Sequence, residues 1–260
     1  MNIFVNCDKN NELSLEIQDR IMQISENLDL EVVDDINTSD IIISIGGDGT
    51  FLKTSRKSRE KPIIGINTGT LGYLTEINPE NIEQALKNLI DGNYHVENRM
   101  MLEGEIVRAN GEIVRIPQAL NEIGISKNII GVVRFDVLVN GKLINSYTAD
   151  GILVCTPTGS TAYNLSCGGP IVDPTAEIIT LTPIAPHTII NRSIVLADDS
   201  TVDIKITELR ENTSSYVLSD GKPIEVFSAD TVRIKKSDKV TKIIKLEDRS
   251  FIDTIRETIN

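Results

Sequence analysis

The stretch Ile41-Ile42-Ile43-Ser44-Ile45-Gly46-Gly47-Asp48-Gly49-Thr50 decides the fold of the first part of the chain. A run of β-branched apolar residues that ends at glycines is typical of a strand buried on both faces, as in parallel sheets. Open α/β sheets bind ligands at the carboxyl ends of such strands. Residues 46–50 therefore predict a ligand site at this edge of the sheet.

The five residues Gly46, Gly47, Asp48, Gly49 and Thr50 have the composition of a phosphate site. Three glycines let the backbone approach a bulky anion and turn its N–H groups toward it, and a helix that begins here adds its dipole. A carboxylate repels phosphate, so Asp48 holds a metal, takes a proton from an attacking hydroxyl, or is only a turn residue. These residues alone leave the three interpretations open.

Length and composition indicate a globular protein of one large domain or two ordinary ones. The chain has 260 residues, of which 40% are hydrophobic and 25% charged. We expect no membrane span, because no apolar stretch is long enough, and a cytoplasmic location, because Cys7, Cys155 and Cys167 are too far apart for a disulfide framework or metal cluster. Cys167 lies in a glycine-rich loop, where a small structural thiol is favoured over a nucleophile.

The net charge of −12 argues against a nucleic-acid partner, which needs clustered Lys and Arg. Any phosphate must then be held locally, by backbone N–H groups, a few cations or Mg²⁺. The sequence has no G-x-x-x-x-G-K-[ST] and no G-x-G-x-x-G that opens a helix. The usual P-loop and Rossmann motifs are therefore excluded.

Residues 1–97 have the pattern of an α/β domain with a mostly parallel sheet. Strands are predicted at 2–6, 32–33, 41–45 and 62–66, and helices at 12–28, from Thr50, and from Asn78 to Gly92. A second glycine-rich loop, residues 67–72, follows the last of these strands. Because neighbouring parallel strands end at one edge, we expect both loops there.

From residue 98 the pattern is all-β, with Asn110-Gly111 and Asn140-Gly141 as hairpin turns. Strands are predicted at 103–108, 112–116, 132–139, 142–147, 152–156, 178–182, 193–196, 202–206, 216–218, 224–227, 232–234 and 240–246. The predicted domains are 1–97, to which a helix in 248–260 returns, and a β-sandwich at 98–247. A short hinge is expected near residues 95–100.

Two polar features stand out in the β domain. Asn121-Glu122 lies inside an apolar stretch, where burial is costly unless each group has a partner, so it indicates a ligand or metal, or else a solvated strand edge. Residues 150–170 pass from a buried strand into a run rich in Gly, Ser and Thr, which is suited to surround a polar ligand with hydroxyls and backbone donors.

The sequence resembles the NAD kinases. The resemblance covers about residues 40–195 and depends on residues 46–50, Asn121-Glu122 and, most specifically, Thr156-Pro157-Thr158-Gly159-Ser160-Thr161-Ala162-Tyr163. It implies an α/β domain and a β-sandwich domain that phosphorylate the adenosine ribose 2′-hydroxyl of NAD to give NADP. The phosphoryl donor is ATP or polyphosphate, with a divalent metal, Mg²⁺ being expected, whose ligands are unknown. It also implies a homodimer or homotetramer in which neighbours complete the NAD site.

The resemblance also implies roles for individual residues. Asp48 becomes the proton acceptor, and Gly49 approaches the donor phosphate. The positions that match contacts to NAD are Asp48, Gly49, Asn121, Glu122, Asp150, Thr158, Thr161, Ala162, Tyr163, Asn164, Leu165, Ser166 and Ala185. Auxiliary positions at the donor phosphate are Gly46, Gly47, Thr50, Lys53 and Thr148; many relatives carry a basic residue at the last position.

Two other functions are compatible with residues 46–50. Lipid kinases of the diacylglycerol type share the two-domain plan and this loop, but residues 156–166 and the lack of a basic or apolar membrane-facing segment argue against them. A non-enzymatic nucleotide-binding module would leave Asp48 as a turn residue.

Overall fold

The computed structural model describes residues 1–69, 72–75, 77–127, 131–188, 191–209, 215–246 and 251–258. The chain divides into two compact units, which are Met1–Arg99 with Thr241–Asn260, and Met100–Val240. In the described ranges no helix is long and apolar enough to cross a membrane.

The first unit is an α/β domain. Its elements are β1 (Asn2–Cys7), α1 (Glu12–Ser25), β2 (Glu31–Val32), β3 (Ile41–Ile45), α2 (Asp48–Ser55), β4 (Ile63–Ile66) and α3 (Ile82–Asp91). The strands form a parallel sheet in the order β2-β1-β3-β4. This order confirms the predicted α/β class and brings the carboxyl ends of β3 and β4 side by side.

Apolar periodicity explains the layers of this unit. All five residues of β3 are buried, as expected of a central strand with both faces covered. The helices bury one stripe each, including Ile17 and Ile21 of α1 and Leu86 and Leu89 of α3. α3 ends where Gly92 adopts φ 71°, a left-handed conformation that glycine reaches without strain.

The second unit is an antiparallel β-sandwich, as predicted. The remaining elements are β5 (His95–Val107), β6 (Ile113–Ala119), β7 (Glu122–Lys127), β8 (Val133–Val139), β9 (Lys142–Ala149), β10 (Gly151–Cys155), α4 (Tyr163–Ser166), β11 (Ile178–Ile184), β12 (Ile194–Ala197), β13 (Val202–Leu209), β14 (Ser215–Ser219), β15 (Lys222–Val226), β16 (Thr231–Lys245) and α5 (Phe251–Thr258). One sheet has the order β12-β11-β10-β7-β14-β15. The other contains β6-β5-β16-β13-β8-β9, and a shared apolar core lies between the two.

Both predicted hairpins form. β5 pairs with β6 and β8 with β9, with Val107 opposite Ile113 and Val139 opposite Lys142. Asn140 and Gly141 have φ of 50° and 76°, so this two-residue turn has the positive φ values that Asn-Gly favours.

The strands of the β half differ from the prediction in several places. Residues 95–100 are the start of the continuous strand β5, and the boundary between the units, between Arg99 and Met100, falls within the range where the hinge was predicted. The strands predicted at 232–234 and 240–246 are one strand, β16. The charged residues in the middle of β16 were interpreted as a loop between two strands. They are compatible with one strand, because one face of an antiparallel sheet can be exposed to solvent and tolerates charge. β7 was not predicted at all.

The carboxyl end of the chain belongs to the first unit. Ile243 of β16 pairs in parallel with Ile63 of β4, and residues 241–260 group with this unit. The helix α5 that follows is the predicted terminal helix. Residues 247–250, 259 and 260 of the predicted returning segment lie outside the described residues.

Candidate functional site

The predicted phosphate loop connects β3 to α2. Gly46 donates its N–H to the carbonyl of Ile66 at 3.0 Å, which fixes the end of β3 against β4. Its φ is 150°, and an added Cβ would lie 2.5 Å from Oγ1 of Thr50. Only glycine fits this position, so the sequence forces the tight turn that starts the helix.

Asp48 is the first residue of α2, where the N-cap is Gly47. In the described part of the chain no side chain caps this helix, so its first N–H groups are available to an anion. Gly47 and Gly49 are exposed, and an added Cβ at either would meet no described atom within 4 Å. The backbone here is therefore open to a bulky ligand.

The side chain of Asp48 points to the loop that follows β4. Its Oδ2 accepts a hydrogen bond from the N–H of Tyr73 at 3.1 Å, and Oδ1 accepts one from Leu74 at 3.2 Å. The N–H of Thr75 also acts on this carboxyl. The structure thus brings together the two glycine-rich loops predicted at one sheet edge.

Burial raises the pKa of the Asp48 carboxyl above its ordinary value, and the N–H groups of Tyr73, Leu74 and Thr75 act in the opposite direction. Burial makes a carboxylate a better base than an exposed one, and hydrogen bonds from N–H groups favour its ionised form. This favours proton acceptance over the turn-only interpretation of Asp48.

The other donor-side candidates differ in exposure. Thr50 is buried and its carbonyl accepts a hydrogen bond from Thr54 Oγ1 at 2.8 Å, so its backbone is committed to the helix. Lys53 is exposed in the last turn of α2, one helical turn from the loop. It is the nearest cation to the loop in sequence.

In the second unit, Asn121 and Glu122 are both buried, each 8% exposed. Asn121 directly precedes β7, and Glu122 begins it. Because β7 pairs on both sides, with β10 and β14, it is not a solvated edge strand. That alternative is wrong, and the expectation of a partner for these polar groups becomes stronger.

Asp220 holds this pair and was missed by sequence analysis. Its carboxylate accepts hydrogen bonds from the N–H groups of Leu120 at 2.9 Å, Asn121 at 2.9 Å and Glu122 at 3.2 Å. Asp220 and Gly221 form the hairpin turn between β14 and β15, with φ of 42° and 76°. The Asp-Gly turn signal was present, but nothing local shows that its carboxylate reaches back to residues 120–122.

Glu122 is unusual among the buried carboxylates. Its Oε2 has no hydrogen-bond partner among the described residues. Burial, followed by the neighbouring charge of Asp220, raises the pKa of Glu122 to about 8. A buried polar atom without a partner is costly, so it indicates a place that a ligand completes.

Residues 156–166 form a compact turn and not an open loop, with a 3₁₀ turn at Thr158–Thr161 followed by α4. Thr156 Oγ1 donates to the carbonyl of Leu120 at 2.5 Å and accepts the N–H of Gly159 at 3.0 Å. An added Cβ at Gly159 would lie 2.7 Å from Cα of Asn121. The turn is therefore packed directly on the segment that contains Asn121. Residues of both segments were predicted to contact NAD, and the structure places the two segments side by side.

The predicted residues of this turn divide into two groups. Asn164 is fully buried and uses its amide internally, donating to the carbonyls of Ser160 and Pro170 and accepting from Thr182 Oγ1 at 2.7 Å. The others are open to different degrees: Thr158 is buried, Thr161 and Ala162 are half-buried, and Tyr163, Leu165 and Ser166 are exposed. Asn164 shapes the turn, and the exposed members are free to contact a ligand.

Thr148 lies near the end of β9, Asp150 directly before β10 and Ala185 directly after β11, and backbone hydrogen bonds connect these positions. The N–H of Asp150 donates to the carbonyl of Ile184, and the N–H of His187 to that of Thr148. The carboxylate of Asp150 pairs with Lys127 at 2.7 Å, a partner that the sequence did not suggest. Ala185 has φ 43°, a conformation uncommon for alanine.

Tyr163 connects these groups electrostatically. Burial raises the pKa of its phenol, and Cys167, Asp150 and Glu122 raise it further. Asp150 and Glu122 thus lie within electrostatic range of Tyr163. The thiols of Cys155 and Cys167 have pKa values raised by burial, so both are poor nucleophiles, and all three cysteines are free.

The predicted divalent metal has no evident protein site. Over the residues that the structure describes, no group of three or more His, Cys, Asp or Glu side chains is arranged to hold an ion. The described donor sets therefore give no argument for a resident metal ion.

Comparison with known proteins gives matches in both units. The family model of the ATP-NAD kinase N-terminal domain matches residues 5–94, and that of the C-terminal domain matches residues 120–246. An NAD kinase of Lachnospira eligens is 39% identical over 235 residues, covering 85% of this chain and 80% of that relative.

Solved structures agree. An NAD kinase from Archaeoglobus fulgidus in complex with ATP is 29% identical, with a TM-score of 0.79 over 98% of each chain. Yeast NADH kinase complexed with NADH has the same fold, with a TM-score of 0.87 at 22% identity, covering 100% of this chain and 87% of that one. The matched domains, the relatives and the geometry of residues 46–50, 121–122 and 156–166 together show that the chain belongs to the NAD kinase family.

Proposed function

We propose that this protein phosphorylates the 2′-hydroxyl of the adenosine ribose of NAD to give NADP, with ATP as the donor. Family membership supports the reaction class. The observation that carries the proposal is the Asp48 carboxylate, largely buried and held by backbone N–H groups at the start of a helix whose N-cap residue, Gly47, has no side chain. A general base beside an anion site is what phosphoryl transfer to a hydroxyl requires.

The donor phosphates bind at the start of α2. Gly47 and Gly49 leave the backbone open, Gly46 makes the turn, and the helix dipole favours negative charge. Thr50 supports the turn from inside. Lys53 supplies a cation whose flexible side chain can reach the donor phosphates. This part of the site belongs to the predicted domain 1–97 with 248–260.

In the chemical step the ribose 2′-oxygen attacks the γ-phosphorus, and the bond from phosphorus to the bridging oxygen of ADP breaks. The hydroxyl proton passes to the carboxylate of Asp48, and ADP leaves with the electron pair. Such a transition state needs mainly positioning and charge neutralisation, so a carboxylate of modest basicity suffices. The donors from Tyr73 and Leu74 keep that carboxylate in one orientation.

NAD binds to the predicted β domain, residues 98–247. Asn121 and Glu122 contact adenine and ribose, and a ribose hydroxyl gives Glu122 Oε2 the partner that it lacks among the described residues. Asp150 lies toward the nicotinamide amide. The remaining contacts come from Thr158, Thr161, Ala162, Tyr163, Leu165, Ser166 and Ala185, with Asn164 behind them.

Other features of the reaction follow the resemblance. Mg²⁺ enters with the nucleotide as its counterion, since no protein site fits a resident ion among the described residues. Polyphosphate is a second possible donor, and Thr148 takes the place at which many relatives have a basic residue. We further propose a cytoplasmic homodimer or homotetramer; three free thiols agree with a reducing compartment.

The lipid-kinase alternative is not supported, because the matched domains and relatives are NAD kinases. A non-enzymatic binding module predicts NAD binding without turnover. The purified protein is therefore incubated with Mg²⁺, NAD or NADH, and ATP or polyphosphate, with diacylglycerol as a control acceptor. A dehydrogenase specific for NADP(H) reads the product; we expect product with ATP, and none from any of the four combinations would refute the proposal.

A further inference from the structure

Gly65 within β4 and two glycines of the loop that follows it, Gly69 and Gly72, differ in what surrounds them. An added Cβ at Gly69 would meet no described atom within 4 Å. At Gly65 it would lie 2.9 Å from the carbonyl oxygen of Leu74 and 3.0 Å from Cα of Thr75, which are backbone atoms. At Gly72 it would overlap Oδ1 of Asp48 and lie 2.8 Å from Cγ and 3.0 Å from Oδ2.

The three nearest atoms at Gly72 therefore all belong to one side chain, that of Asp48. None of these three glycines has φ in the left-handed range, so backbone conformation does not explain why glycine is present. At Gly65 the obstacle is the backbone of Leu74 and Thr75, so the chain itself would have to move. At Gly72 the three nearest obstacles are removed if the Asp48 carboxylate turns aside.

The same loop also supplies the donors that hold Asp48. The N–H groups of Tyr73 and Leu74, the next two residues, donate to Oδ2 and Oδ1 at 3.1 and 3.2 Å. These bonds require the carboxylate to lie directly against residue 72. A side chain at position 72 would occupy the space of the Asp48 carboxylate. It would also disturb the alignment of the N–H groups of Tyr73 and Leu74 with the carboxylate oxygens.

We infer that Gly72 is a positioning residue for the reaction, which sets the orientation of the Asp48 carboxylate by leaving it space against the backbone N–H groups of residues 73–75. This inference rests on the proposed role of Asp48 as proton acceptor. It differs from a structural role because the atoms displaced by a larger residue belong to the reacting group and not to the fold.

The test compares Gly72→Ala with Gly69→Ala and Gly65→Ala. We expect Gly72→Ala to lower kcat by about ten- to a hundredfold, since displacing a catalytic group by about 1 Å has an effect of this size, with KM for NAD and the unfolding midpoint unchanged. Gly69→Ala keeps wild-type turnover. Gly65→Ala lowers the unfolding midpoint, because its obstacle is backbone.

Two further readouts separate positioning from general damage. In Asp48→Asn, which lacks the basic carboxylate, adding Gly72→Ala should cause no further loss of kcat, because the two changes act through one group. The acidic limb of the kcat profile should move to higher pH in Gly72→Ala, since losing N–H donors disfavours the ionised carboxylate. Carbon-13 NMR titration of the Asp48 carboxyl reports the same shift without turnover.

The outcomes distinguish this inference from the proposed function. If the wild type makes no NADP, the proposed function fails. If the wild type and Gly69→Ala make NADP and Gly72→Ala matches them in kcat and pH profile, the positioning role is refuted while the function stands. Additive losses in the double variant would also refute it.

Discussion

The carboxylates of Asp48 in the first unit and Glu122 in the second are both largely buried, and burial raises the pKa of each. Their surroundings differ. Asp48 has backbone donors on both oxygens, whereas Glu122 Oε2 has no partner among the described residues and lies near the charge of Asp220. A carboxylate that is fixed by hydrogen-bond donors is suited to accept a proton in a reaction. A carboxylate with an oxygen that lacks a partner is suited to bind a polar group of a ligand.

The largest effect that this comparison predicts is a change in the pH dependence of the free energy of unfolding in Glu122→Gln. The folded-state pKa of about 8 lies above the ordinary value of 4.5, so the folded protein keeps a proton that the unfolded chain releases. Stability is therefore full below about pH 4.5 and falls as pH rises to about 8. Glu122→Gln should lack this fall, which amounts to roughly 3–5 kcal/mol.

Urea unfolding of the wild type and Glu122→Gln at pH 5, 7 and 9 measures the difference. Glu112→Gln, an exposed residue at the β5–β6 hairpin, is the control and should follow the wild type. Parallel curves for the wild type and Glu122→Gln would show that Glu122 has a partner and would remove the contrast with Asp48.

A smaller effect is expected for Asp220→Asn. This change keeps the size of the side chain and its tolerance of positive φ, but it removes the charge and one of the acceptor oxygens used by the N–H groups of residues 120–122. We expect a loss of about 1–2 kcal/mol in stability.

Removing the negative charge of Asp220 should also lower the pKa of Glu122 and narrow the pH window of the first prediction. Asp136→Asn, which affects one exposed hydrogen bond from Ser146, is the matched control. Unchanged stability and an unchanged pH window in Asp220→Asn would contradict the account of the Asn121-Glu122 segment.

The smallest effect on stability is expected for Gly49→Ala. Space is available for the methyl group, and alanine is the better helix former, so stability should change by no more than about 0.5 kcal/mol, in the favourable direction. KM for ATP should nevertheless rise, because the backbone could no longer approach the phosphates. Gly69→Ala is the control for a methyl group in open space; an unchanged KM for ATP in Gly49→Ala would place the donor elsewhere.

Features of the site that depend on local pattern could be predicted from the sequence. The sequence predicted β3, the turn at residues 46–50 and the Asn-Gly hairpins, because apolar runs, glycines and turn residues fix local geometry. Asp220 could not be predicted in its role, since it binds a segment up to 100 residues away. The contacts of residues 73–75 with Asp48 could not be predicted either, because these residues are distant in sequence. The strand β7 was not predicted because the polar pair Asn121-Glu122 at its start is not typical of a central strand.

We propose that Asp48 serves the chemical step and Glu122 serves NAD binding. Calorimetric titration with NAD, together with single-turnover rates at saturating NAD and ATP, tests it in Asp48→Asn and Glu122→Gln. We predict that Asp48→Asn binds NAD within about threefold of the wild type but reacts about a thousandfold more slowly.

In the same experiment Glu122→Gln should bind NAD about tenfold more weakly, which corresponds to the loss of one ordinary hydrogen bond, and react at a near-normal rate once saturated. Near-normal turnover in Asp48→Asn would contradict its role as proton acceptor. Loss of NAD binding in that variant, with binding kept in Glu122→Gln, would reverse the two assignments.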